Sequence, residues 1–131
     1  MSDEHPSYIL RVQKEELERQ LFSRHTFYVG IKRDWTPGAL VLFVKKDAFV
    51  CSGVIDRFVA LEQLNEPDKR LAIENSWYGW IMFASLARFV PAVPLRDTPA
   101  AGQNPLALHG SVITNSEALQ IEYSVRSRII S

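Results

Sequence analysis

Apolar and polar positions along the chain follow two periods, and each predicts its own kind of element. "KEELERQLFSRH" (14–25) places Leu17 and Leu21 four apart with Phe22 beside them, the spacing of one helix face. Glu15, Glu16 and Glu18 come early in this stretch and Arg24 and His25 late, which suits the helix dipole at both ends. A helix over 14–25 follows. Before it, "YILRV" (8–12) is rich in β-formers and predicts a strand. After it, Pro37-Gly38 marks a turn. "ALVLFVKK" (39–46) is an apolar run too short for most helices and reads as a buried strand. "KDA" turns the chain into "FVCSGVIDRFVAL" (49–61), so 39–46 and 49–58 form a hairpin. Gly53 inside the second strand predicts a bulge or the close approach of another part of the chain.

The second half is less decided by pattern. "EQLNEPDKRLAIENS" is polar and reads as a loop with a short helical piece. "WYGWIMFASLARFV" (77–90) suits helix or strand. If it is a strand, alternation puts Trp77, Gly79, Ile81 and Phe83 on one face and Tyr78, Trp80 and Met82 on the other. The proline-rich stretch 91–105 reads as loop or extended edge. Residues 117–130 fit helix and strand equally, and "TNSE" just before them is a capping signal, with Asn115 or Ser116 able to cap a helix. A strand, a helix and then several strands predict an α+β domain on a mixed, barrel-like sheet, with residues 1–7 a tail and 8–131 a single domain.

Composition narrows the chemistry. The 131 residues suffice for one domain with a core. Formal net charge is zero, which excludes a binder that holds nucleic acid by bulk charge alone, though not a local basic patch. One cysteine, Cys51, lies in an apolar run and reads as a buried thiol; with no partner for a disulfide it fits a reducing, cytoplasmic location. No apolar run reaches the length of a membrane span. The histidines lack metal-ligand spacing, and no nucleophile–base order, paired carboxylates or phosphate loop stands out, so no metal, cofactor or enzymatic activity is expected.

Four segments, taken in order, resemble the YTH domain, a reader of N6-methyladenine in RNA, and its EVE and PUA-like relatives. They are "YILRVQKEELERQLFSRHTF", "ALVLFVKKDAFVCSGVI" with its Phe-x-x-x-Gly-Val, "WYGWIMFASLARFVPAVPL" with its Trp-x-Gly-aromatic, and "SVITNSEALQIE". The resemblance implies a PUA-like mixed sheet or open barrel with flanking helices, and makes 77–90 a strand. It also implies a non-enzymatic domain that reads a modified base in an aromatic cage, in RNA rather than DNA. In the family one cage tryptophan follows the first helix, where this sequence has Phe27 and Tyr28. A second opens the third segment, where Trp77 stands. Leu71 or Ile73, in the loop before Trp77, would supply a further wall.

The family's Ser and Asn that bond the base edge are replaced here by Val12 and by Gln13 or Lys14. Arg11 matches a basic residue near the first strand's end, suited to a phosphate, and Asn115 and Ser116 match a motif near the nucleic-acid backbone. "KRDW" adds Lys32 and Arg33 beside Trp35, a residue expected to be partly exposed and able to stack on a ligand. Two other readings compete: a binder of free nucleosides, or an enzyme acting on them, on the same fold, and a protein-interaction or dimerisation module.

Overall fold

The computed structural model describes residues 6–31, 33–98, 102, 104 and 108–130, with backbone alone at 115 and 124–130. The chain forms β1 (Ser7–Arg11), α1 (Glu15–Arg24), β2 (Thr26–Val29), β3 (Leu40–Lys45), β4 (Ala48–Ala60), α2 (Glu66–Glu74), β5 (Gly79–Pro94), β6 (Ser111–Ile113) and α3 (Asn115–Ile130). The strands make one sheet in the order β2-β5-β4-β3-β1-β6, curled into a half barrel with the helices on its flanks. β1 pairs parallel with β3 and every other pair is antiparallel. This is the α+β open-barrel architecture expected.

The continuous apolar run of β3 has a direct cause. β1 and β3 are buried on both faces, a setting that removes the usual polar alternation. Tyr8, Leu10, Val41 and Phe43 face a first core closed by Leu17 and Leu21 of α1. Ile9, Leu42 and Val44 face a second core, closed by Ala118 and Ile121 of α3. α3 starts where the sequence signal stands, but Thr114 is the cap. Its Oγ1 accepts the Glu117 N–H at 3.0 Å while Glu117 Oε1 accepts the Thr114 N–H at 3.0 Å, a reciprocal capping box. The choice between helix and strand over 117–130 resolves to helix.

The Thr36-Pro37-Gly38-Ala39 turn closes with the Ala39 N–H donating to the Thr36 carbonyl at 3.0 Å, and Gly38 takes φ 88, which a type II turn reserves for glycine. Gly53 sits where a Cβ would come within 2.8 Å of both Leu86 and Phe83 on β5. The close approach is therefore at Gly53 itself, while register shifts lie on either side of it, between Phe49 and Cys51 and between Val54 and Ile55. β1 begins at Ser7, inside the stretch expected to be tail. β5 runs on through Pro91 to Pro94, so part of the proline-rich stretch is strand. β2 covers only Gly79–Met82 of β5, which leaves the later prolines on a strand edge they do not interrupt. Among the described residues no helix is long and apolar enough to cross a membrane.

Candidate functional site

The "WYGW" stretch is fixed from two directions. α2 is capped by Asn65, whose side chain accepts the Asp68 N–H at 2.9 Å, and has proline in its first turn. Past its last residue, Glu74, and the Asn75 cap, Ser76 takes the left-handed region, φ 61. The Ser76 N–H donates to Ile73 O at 3.2 Å and the Trp77 N–H to Ala72 O at 2.8 Å. These two bonds form a Schellman ending, with Trp77 as the second residue past the helix cap. Tyr78 then donates its N–H to Val29 O at 3.1 Å, and β5 begins at Gly79. No alanine fits at Gly79, because a Cβ would overlap the Phe58 ring and the Val59 carbonyl.

This geometry overturns the expected separation of the two tryptophans. Trp77 lies before the strand, so strand alternation does not reach it. Tyr28, the antiparallel partner of Trp80, touches both tryptophans. It stacks on Trp77 at 4.6 Å between centroids and 12° between planes, and meets Trp80 at 5.3 Å and 54°. Trp77 and Trp80 thus share a face. Tyr78 points the other way, packing on Phe58 at 5.9 Å and facing Trp35, and burial raises its phenol pKa above 10.0.

The Tyr28 hydroxyl donates to Asp68 Oδ1 at 3.2 Å. Burial first, and Asp68 second, push the phenol up to about 12, so it stays protonated through neutral pH. The Lys14 ammonium lies 5.9 Å from the Trp77 centroid and donates to Asn75 Oδ1 at 3.4 Å. Arg24, at the end of α1, sits over Trp80 at 5.5 Å. Trp77 and Trp80 are each half-buried. The result is a ladder of three rings, a buried Tyr28 touching two half-buried tryptophans, with a cation at either end in the range where cation–π attraction acts.

The other expected site residues fall in different places. Phe27 is 1% exposed and packs edge-on against Phe43 at 5.1 Å, inside the first core. A cage of Phe27 opposite Trp77 is not built. Nor is there a slot between Tyr28 and Trp77, whose rings are already in stacking contact. Trp35, expected to be partly exposed, is 1% exposed and packs on Tyr8 at 4.8 Å. Leu71 and Ile73 are exposed, 42% and 59%, on the helix that carries Trp77 at its end.

The Arg11 backbone and the Arg33 side chain meet one turn. The Arg11 N–H donates to His109 Nδ1 at 2.8 Å, and Arg33 Nε donates to Gly110 O at 2.9 Å. That turn adjoins the ladder through a short segment. A Cβ on Gly30 would come within 3.5 Å of Trp77, and one on Gly110 within 2.5 Å of Ile31. Lys32 and the Asn115 side chain lie outside the described residues, and Ser116 is exposed in the first turn of α3.

The residues that sequence reasoning missed are Lys14 as a cation beside Trp77, Arg24 and Trp80. A signal for Trp80 exists in its antiparallel pairing with "TFYV", but it is readable only once β2 is known to be a strand. Taken together, these features define an α+β half-barrel domain with a cation-flanked aromatic ladder on its surface. Comparison with family models, with curated proteins and with solved structures returned no match.

Proposed function

We propose that the protein is a non-enzymatic nucleic-acid-binding domain that stacks an unpaired base, a modified one by preference, on the outer face of Trp77, in RNA rather than DNA. One observation carries this reading: the half-buried Trp77 is held flat against Tyr28 at 4.6 Å and locked by the end of α2. A platform rigid before binding loses little entropy when a base lands on it. One face of the indole is covered by the phenol, and the other faces the exposed Lys14 ammonium at 5.9 Å, a charge that can turn to a phosphate when a base takes that face. The Arg33 side chain lies one short segment away, at the Gly110 turn, where the Arg11 backbone also bonds. With a formal net charge of zero, stacking rather than bulk charge supplies most of the affinity.

The resemblance to YTH-like readers supplies the preference for a modified base, and the half-barrel fold supports it as a scaffold of that kind. The recognition differs in form from a closed cage: an open platform with Leu71 and Ile73 near its rim. Cytoplasmic location belongs to this reading. Cys51, the single cysteine, is a buried free thiol, which suits a reducing compartment.

The test is a fluorescence titration with single-stranded RNA carrying adenine or N6-methyladenine at its centre. Trp77→Ala is expected to weaken binding by about 1–3 kcal/mol, the worth of one base stack. Equal affinity of Trp77→Ala and wild type would sink the reading. Free nucleoside binding as tightly as the oligonucleotide would favour a small-molecule binder instead.

A further inference from the structure

The outer face of the sheet continues beyond Trp77. Cross-strand partners point to one face, so two adjacent rows lie side by side here. One is Tyr28–Trp80–Val59, and the next is Thr26–Met82–Arg57. Arg57 reaches along its row and donates from Nε to Met82 Sδ at 3.4 Å. Arg24 arrives from the end of α1 and covers Trp80 at 5.5 Å. Both arginines are exposed. The Trp80 Nε1 is buried with no acceptor among the described residues, so the indole edge points inward and the ring meets Arg24 with its face. Asp68, an acid that touches the ladder, is bonded to the Tyr28 hydroxyl.

We infer that this face is the path of a single nucleic-acid strand, entering at Trp77 and running over Trp80, with Arg24 and Arg57 binding the phosphates that follow the stacked base. The inference rests on the Trp77 reading and extends it from one base to a strand several nucleotides long. Charge complementarity selects the partner. Guanidinium groups spaced along aromatic and thioether side chains match a polyanion whose bases carry π-faces. A neutral or basic protein surface would leave both arginines without anionic partners. A duplex keeps its bases paired and offers none to the rings.

Binding of a uridine-rich single-stranded RNA octanucleotide and a dinucleotide, each with one N6-methyladenine, separates the possibilities. The protein is the full chain, and Arg24→Gln with Arg57→Gln is the variant. Both positions are exposed, and a matching far-UV spectrum and melting temperature establish that the variant is folded. The octanucleotide is expected to bind the variant about tenfold more weakly and the dinucleotide equally well in both proteins. The slope of log K against log salt for the octanucleotide should shrink by roughly 0.7 for each phosphate that the variant leaves unneutralised. An unchanged slope and unchanged octanucleotide affinity overturn the strand path. If Trp77→Ala still weakens binding in that case, base stacking stands without it. If neither oligonucleotide binds the wild type, both fall together.

Discussion

At the scale of single residues, two polar contacts make opposite kinds of prediction. His109 accepts the Arg11 N–H at Nδ1, so its imidazole is neutral with the proton on Nε2. Burial first, and the Arg11 charge second, hold its pKa below the ordinary 6.5. In the unfolded chain the imidazole therefore takes a proton at a pH where the folded protein does not. Its contribution to stability is complete above 6.5 and is lost as pH falls from there toward the lowered folded value. Denaturant midpoints across mildly acidic buffers should drop in wild type. They should stay flatter in His109→Asn, whose side-chain oxygen can accept the same N–H without titrating. Tyr28 behaves differently, because its phenol is pushed up to about 12 and does not ionise in the working range. Tyr28→Phe removes the bond to Asp68 but keeps the ring. It should lower stability by about 1 kcal/mol in thermal melts while leaving oligonucleotide affinity unchanged, since only the ring backs Trp77.

At the scale of elements, the end of α2 decides where the site is, and it is the part least legible in the sequence. α1, the β3–β4 hairpin and the Pro37-Gly38 turn each carry a local signature: a helix face, a short apolar run, a turn dipeptide. The Schellman ending does not. Its left-handed residue is Ser76 rather than glycine, so nothing in "IENSWYGW" marks that the helix stops there or that the strand waits until Gly79. Counting alternation from Trp77 consequently sets the two tryptophans on opposite faces and pairs Tyr78 with Trp80, the reverse of what the chain does. Trp35 escapes sequence reading for a related reason: a basic, turn-rich setting looks exposed, while its burial depends on Tyr8, which is distant in sequence. The same ending predicts a gain. Ser76→Gly relieves the left-handed strain and should raise stability by about 0.5–1 kcal/mol in denaturant titrations, with Trp77 and its binding unchanged. Gly79→Ala should do the reverse. Backbone as well as a ring blocks the new methyl, so a loss of about 2 kcal/mol or more and a disturbed Tyr28–Trp77 stack are expected, the latter visible as a shifted tryptophan emission.

At the scale of the whole molecule, the question is whether two cores make two folding units. The first holds all three tryptophans within it or packed against it; the second holds none and is roofed by α3. Yet both are built on the same two strands. Leu10 and Ile9 are neighbours on β1, and Phe43 and Leu42 on β3, each pair split between the cores. A strand cannot keep one face packed while the other dissolves, because its hydrogen bonds to the partner strand serve both. The cores should therefore melt as one. Ile121→Ala strips a buried side chain from α3 and should cost about 3 kcal/mol. The tryptophan signal, which reports the first core, should then fall to a lower midpoint together with the helical signal of α3, giving coincident transitions. If the fluorescence midpoint stayed at its wild-type value while the circular dichroism midpoint moved, the shared strands would not couple the cores. The binding face, which lies wholly on the first, would then be independent of α3.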